Sequence, residues 1–239
     1  MNFLCVVPVY NEDEKIQQLC SEIKEFQSNN KNIDFLLINN GSTDKSREIM
    51  ESFNLKIVNN EKNLGVGFAL IQGYKYAIKA KYDYLIHLAG NGKMKPKEIN
   101  KFISLIENDN YDFVHGSRFL DDGNYKNNPV SRIILIRILT IFISLLFRKK
   151  ITDATCGFRA FKTTLFIDIL NKIDNEKYYT YRYEYLTLGK ALLDKKINFA
   201  EVGVTMDYKK KRYSKIRPII DWFPIIIGWL EAFFDNKKY

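Results

Sequence analysis

The sequence predicts an α/β fold, a single domain with a mostly parallel central sheet flanked by helices. Apolar runs of strand length alternate with segments whose apolar residues recur at helical spacing. Hydrophobic residues make up 46% of the 239 residues, enough for a core of one-domain size. The strand-like runs end in loops rich in Asn, Gly and Ser, the edge at which parallel sheets bind ligands.

Phe3 to Pro8 is an apolar run that reads as a buried strand ending in a loop. Glu12 to Asn29 places Ile16, Leu19, Cys20, Ile23 and Phe26 on one helical face. Asp34 to Ile38 reads as a second strand. It is followed by the turn Asn39–Asp44, in which Ser42 or Thr43 is expected to cap a helix reaching Phe53. Leu55 to Val58 is a third strand, Asn63 to Ala80 a helix and Tyr82 to Leu88 a fourth strand. Lys97 to Glu107 is helical and Tyr111 to His115 a fifth strand. Ser131 to Phe147 is apolar almost all round, more helical segments follow Lys162, and Ile197 to Val204 is expected to close the sheet. Residues 1–208 form the main domain in this reading, and 209–239 a basic loop with an amphipathic C-terminal helix.

Lys and Arg number 37 against 28 Asp and Glu, a net charge of +9. That balance suits phosphorylated ligands or an anionic membrane surface. The lysines are scattered without the aromatic interleaving of a nucleic-acid groove, so no nucleic-acid partner is expected. Cys5, Cys20 and Cys156 lie far apart without metal-ligand spacing, which points to a reducing compartment and core thiols. No basic leader precedes Phe3, and no run of about 20 uninterrupted apolar residues occurs, so peripheral membrane association is expected rather than spanning.

The segment Tyr84–Pro96 is the most informative. An apolar strand runs into Ala89-Gly90-Asn91-Gly92-Lys93, a loop without carboxylates that continues into lysines. Around it, Val7-Pro8-Val9-Tyr10-Asn11-Glu12, Asn39-Asn40-Gly41-Ser42-Thr43-Asp44 and Asn63-Leu64-Gly65-Val66-Gly67-Phe68-Ala69 with Gly73 resemble the large inverting family-2 glycosyltransferases of the GT-A fold. Gly116-Ser117-Arg118-Phe119, Asn128-Pro129-Val130-Ser131-Arg132, the segment Asp153–Arg159 and Ser214-Lys215-Ile216 are similar to the branch that glycosylates polyprenyl phosphates, the dolichyl-phosphate mannosyltransferase-like enzymes. The motifs lie in register over most of the chain.

The resemblance implies a GT-A-like domain of hexosyltransferase type that moves a sugar, with inversion, from a nucleotide-diphosphate sugar to a polyprenyl phosphate. It places Pro8, Tyr10, Glu12, Asn39, Gly65 and Asn91 in the nucleotide pocket. Asn39 stands where the family carries a base-reading carboxylate. A carboxamide both accepts and donates, so uracil, guanine and cytosine stay open.

Ala89-Gly90-Asn91 stands where the family carries the Asp-X-Asp that binds Mg²⁺ or Mn²⁺. Lys93, aided by Lys95, could supply fixed charge instead. A weak metal could persist through Asn91 alone, or catalysis could be lost and binding retained. The acceptor side needs a cationic cradle, because a lipid phosphate is already an oxyanion at neutral pH and asks for no strong base. By resemblance Arg118 and Arg132 hold that phosphate, with Arg159, and with Ser214 and Lys215 on a closing loop; Cys156 replaces a serine usual in the family. Asp153 is the acidic candidate, either orienting an arginine or serving as base for a saccharide hydroxyl. The expected catalytic set is thus Asp153, Arg118, Arg132 and Lys93. Arg159 could alternatively pair with Asp153. Glu184 falls where the family has an acidic cluster, and His87 and His115 read as core histidines.

Arg132, Arg137 and the Arg148-Lys149-Lys150 triplet frame the apolar segment 131–147, and Trp222 and Trp229 fall near one face of the C-terminal helix. The two segments read as a patch on the cytoplasmic face of the cell membrane, or else as core packing with a homo-oligomer interface.

Overall fold

The structure, a computed structural model, describes residues 1–125, 127, 129–208 and 222–235. β1 (Phe3–Val9), β2 (Ile33–Asn40), β3 (Lys56–Asn60) and β4 (Tyr84–His87) form the parallel half of a seven-stranded sheet of order β3-β2-β1-β4-β6-β5-β7. They are joined by α1 (Asp13–Asn29), α2 (Ser46–Ser52) and α3 (Val66–Lys79). α4 (Ile99–Asp109) then leads to β5 (Phe113–Ser117) and α5 (Val130–Phe147). β6 (Arg159–Lys162) runs antiparallel between β4 and β5. The short α6 (Leu170–Ile173), α7 (Arg182–Leu193), β7 (Phe199–Gly203) and α8 (Trp222–Asp235) complete the described chain.

The predicted sheet forms, with one strand the sequence did not disclose. β6 is only four residues long, Arg-Ala-Phe-Lys, and carries no alternation strong enough to separate it from a loop. Its partners on both sides supply its ladder. The expected cap at Ser42 or Thr43 does not form. Ser42 Oγ accepts the Asn11 N–H at 3.1 Å, and the Asp44 carboxylate takes the Ser46 N–H at 2.9 Å where α2 starts.

Alternation along β1 divides the core into two layers. Phe3, Cys5, Val7 and Val9 face α1 and α4, with Ile16, Leu19, Phe102 and Ile106. Leu4 and Val6 face α3, α7 and α8, with Ala69, Leu70, Leu186 and Trp229. All three cysteines are buried and unpaired. α8 belongs to the same core: Trp229 is 1% exposed and packs against Phe147 and Tyr185. Of the two readings of this segment, membrane patch or core packing, Trp229 follows core packing; Trp222 is half-buried.

Candidate active site

The parallel strands end together, and their loops enclose a cavity of about 560 Å³. β1 runs into Pro8, Val9, Tyr10 and Glu12 along one wall. The chain after β4 is strapped to β1: the Leu88 N–H donates to Val6 O at 3.0 Å and the Gly90 N–H to Pro8 O at 3.2 Å. That lays Ala89-Gly90-Asn91 along the cavity beside Pro8. The start of α3 closes a third side. Gly65 has φ of 99°, and a Cβ there would sit 2.0 Å from the Tyr179 carbonyl oxygen, so only glycine lets the 179–181 turn approach the helix start.

Of the predicted nucleotide residues, Pro8, Tyr10, Glu12, Gly65 and Asn91 line this cavity. Asn39 does not. Its amide donates to Asn59 Oδ1 at 2.9 Å and its oxygen accepts the Ser42 N–H at 3.1 Å, which ties it into the β2–β3 edge. Successive strand residues point to opposite faces, so the neighbouring Asn40 reaches the cavity instead and anchors Asn63 and the Gly65 carbonyl at 3.0 and 2.9 Å. The sequence offered no means of separating two adjacent asparagines.

On the far wall Arg118, Arg132 and Lys93 converge, as expected. Arg118 is 2% exposed and bound by Asp153, whose Oδ2 accepts from Nε at 2.6 Å and Oδ1 from Nη2 at 2.7 Å. Nη2 also reaches Thr155, and Nη1 donates to Tyr208 Oη at 2.6 Å. Burial alone would raise the Asp153 pKa, but the adjacent guanidinium outweighs it and holds the carboxylate below its ordinary range. Asp153 is fully buried and paired with Arg118, the geometry of the arginine-orienting alternative.

Arg159 belongs neither to the acceptor cradle nor to Asp153. It lies fully buried under the cavity floor, donating to the carbonyls of Glu184 and Cys156 and standing 3.8 Å from the Glu184 carboxylate. The expectation of a phosphate contact fails because β6 points this side chain into the core. Lys95 pairs with Glu22 at 2.8 Å and does not line the cavity. Ser214 and Lys215 lie outside the described residues.

Sequence reasoning missed Tyr208, whose ring gathers the cations. Lys93 Nζ lies 4.7 Å and the Arg132 guanidinium 5.4 Å from its centroid. A lone tyrosine before a basic run carried no signal of this. Glu184, placed by resemblance in an acidic cluster, lines the cavity with its pKa raised by burial, a rise that Arg159 partly offsets. His87 is a core histidine that also touches the cavity floor, with both ring nitrogens lacking a partner among the described residues. Burial, then Arg159, pushes its pKa well below 6.5, so it is neutral at pH 7.

A second, mostly apolar cavity of about 300 Å³ lies between α5 and α8, lined by Leu135, Ile136, Leu139, Trp222 and Ile225 among others. Arg132, Thr155 and Tyr185 border both cavities.

The loop Ala89-Gly90-Asn91 offers no carboxylate to a divalent metal. Ala89 has no ligating side chain, and the Asn91 Oδ1 accepts the Lys93 N–H at 3.1 Å. Among the described residues no group of three or more His, Cys, Asp or Glu is placed to hold an ion. Hard cations select clustered carboxylate oxygens, and the charged side chain in this loop is that of Lys93.

Residues 4–170 match the family model of Glycosyl transferase family 2. The chain belongs to that family and is a glycosyltransferase. It is 28% identical over 232 residues to the UDP-N-acetylglucosamine–dolichyl-phosphate N-acetylglucosaminyltransferase of Methanococcus voltae, covering 89% of this chain and 87% of that one. It is 22% identical to the polyprenol monophosphomannose synthase of Mycolicibacterium smegmatis, over 89% of this chain and 80% of that one. Among solved structures, glucosyl-3-phosphoglycerate synthase from Mycobacterium tuberculosis, in complex with Mn²⁺, UDP and phosphoglyceric acid, superposes with a TM-score of 0.65 at 14% identity. It covers 98% of this chain and 78% of that one. The likeness establishes the shared α/β fold.

Proposed function

We propose that this glycosyltransferase moves a sugar from a nucleotide-diphosphate sugar to a polyprenyl phosphate, with inversion, at the cytoplasmic face of a membrane. The observation that carries the reading is the position of Arg132. It stands on the border between the cavity at the strand ends, which also holds Lys93 and Arg118, and the apolar cavity between α5 and α8. A guanidinium at such a border suits an amphiphile whose phosphate lies on one side and whose hydrocarbon chain lies on the other. The dolichyl phosphate in the name of the Methanococcus voltae relative and the polyprenol in that of the Mycolicibacterium smegmatis relative support it.

In the proposed reaction an oxygen of the lipid phosphate attacks the anomeric carbon from the face opposite the leaving group. The new C–O bond forms as the bond to the nucleotide diphosphate breaks, and its electron pair departs with the diphosphate. No proton must be removed from the acceptor, in keeping with an Asp153 engaged by Arg118.

The membrane part rests on α5 and α8. Ile134, Leu135, Ile138, Ile141, Phe142 and Leu145 are exposed on α5, and Phe223, Ile226, Leu230 and Phe234 on α8. This apolar face is far larger than scattered surface residues require. α5 is long and apolar enough to cross a bilayer by length and composition. Its other face, with Ile136, Ile143 and Phe147, is fixed in the domain core, so the helix is expected to lie at the interface.

Purified protein in detergent should transfer sugar to polyprenyl phosphate from at least one member of a nucleotide-sugar panel. Turnover on a saccharide acceptor, with none on the lipid phosphate, would sink the reading.

A further inference from the structure

We propose that the donor diphosphate is held by the fixed ammonium of Lys93 in place of a divalent cation. The Tyr208 ring sets this cation beside Arg132, so that each of the two anionic reactants meets its own positive charge. The inference rests on the donor and acceptor assignment above and extends it to how charge is balanced.

The loop geometry is the first ground. Asn91 and Gly92, the latter with φ of 69°, turn the chain directly after the position beside Pro8, and Asn91 Oδ1 accepts the Lys93 N–H at 3.1 Å. The carboxamide that a metal would need therefore stabilises the turn that brings Lys93 to the cavity.

The second ground is the shared ring. Lys93 and Arg132 both lie against Tyr208, and its hydroxyl accepts from Arg118 at 2.6 Å. Lys93 and Arg132, two like charges set against one aromatic ring, repel one another. Burial, then Arg132 and Lys15, brings the Lys93 ammonium down to about 8, with Glu12 opposing and Arg118 adding to the fall. An entering diphosphate offsets that repulsion and replaces the lost water around the ammonium. In the transfer step the electron pair of the broken sugar–oxygen bond ends on the diphosphate, next to Lys93, and no co-reactant is required.

The test is calorimetric titration of the full chain with UDP, GDP and CDP, in excess EDTA and again with millimolar Mg²⁺ or Mn²⁺. Uridine, guanosine and cytidine are the diphosphate-free controls. The favoured nucleotide should bind equally well, within roughly twofold, with and without metal. Lys93→Met should weaken it about tenfold to a hundredfold, the range of a lost charged hydrogen bond, and leave nucleoside binding unchanged. Lys93→Arg should recover most of the loss. The triple variant Ala89→Asp, Asn91→Asp, Lys93→Gln should acquire a metal requirement for nucleotide binding. Wild-type binding that appears only with metal overturns the inference and leaves the transferase reading standing, as does Lys93→Met binding like wild type. Absence of binding to any of the three diphosphates under both conditions overturns both.

Discussion

Replacing Asp153 by Asn should destabilise the protein by about 3–5 kcal/mol, the usual cost of removing one member of a buried ion pair. The structure explains why the cost belongs at this level. Arg118 is 2% exposed and Asp153 fully buried, so water cannot take over the lost contact. The carboxylate accepts from the Arg118 Nε, Nη2 and backbone N–H and from the Thr155 backbone N–H, at 2.6, 2.7, 3.2 and 3.0 Å. An asparagine keeps one oxygen for Nη2 and Thr155, but its NH₂ then faces Nε–H and the Arg118 backbone N–H, donor against donor. For a chain of this length the loss corresponds to a fall in Tm of about 6–20 °C. Urea denaturation and calorimetry measure it directly. The double variant Arg118→Met, Asp153→Asn should recover much of the loss, because removing both charges leaves none buried alone. The same pair sets an acid limit. The folded pKa of Asp153 is depressed, so its contribution is fully present above the unfolded carboxylate value, about 4, and is lost as pH falls through the lower folded value. The variant should lack that part of the acid slope. An Asp153→Asn protein within 1 kcal/mol of wild type, roughly a fifth of the fold's margin at most, would refute the reasoning.

Three further outcomes follow from the geometry. Arg132→Ala should lower kcat/KM for polyprenyl phosphate about 10- to 100-fold while nucleotide affinity stays within about twofold, and Arg132→Lys should restore part of it, as initial rates will show. Nucleoside-diphosphate affinity should weaken as pH rises through about 8, where Lys93 loses its proton; it is faced by Arg132, Lys15, Arg118, Glu12 and the Tyr208 ring, and a flat titration curve would contradict the assignment. Phe142→Glu with Leu145→Glu, both on the exposed face of α5, should cut co-sedimentation with anionic vesicles at least tenfold, since each apolar side chain contributes about 1.5–3 kcal/mol on burial, and should leave nucleotide binding intact.

Much of the architecture was legible because it depends on local patterns. Apolar runs such as Phe3–Val9 and the helical spacing of Ile16, Leu19, Cys20, Ile23 and Phe26 identified β1 and α1 from the residues alone. β6 was not legible, since four residues owe their strand conformation to β4 and β5 on either side. In the site, Pro8, Tyr10, Glu12, Gly65, Asn91, Lys93, Arg118 and Arg132 were marked by motif and do border the cavity. Tyr208 was silent, because its importance lies in three cations that arrive from distant parts of the chain.

By itself the sequence determined the parallel-sheet fold and, through the resemblance of its motifs to family 2, a glycosyltransferase in which Ala89-Gly90-Asn91 stands where the family carries carboxylates. Residue type, order and spacing are local quantities, and they sufficed for that. Only the tertiary structure decided how the charges are shared. It joined Asp153 to Arg118, withdrew Arg159 to Glu184 and the core, gave the cavity to Asn40 in place of Asn39, and brought Lys93 and Arg132 to one ring. The physical reason is that an ionisable side chain acts according to its burial and its nearest opposite charge. Both are set by contacts between residues tens of positions apart.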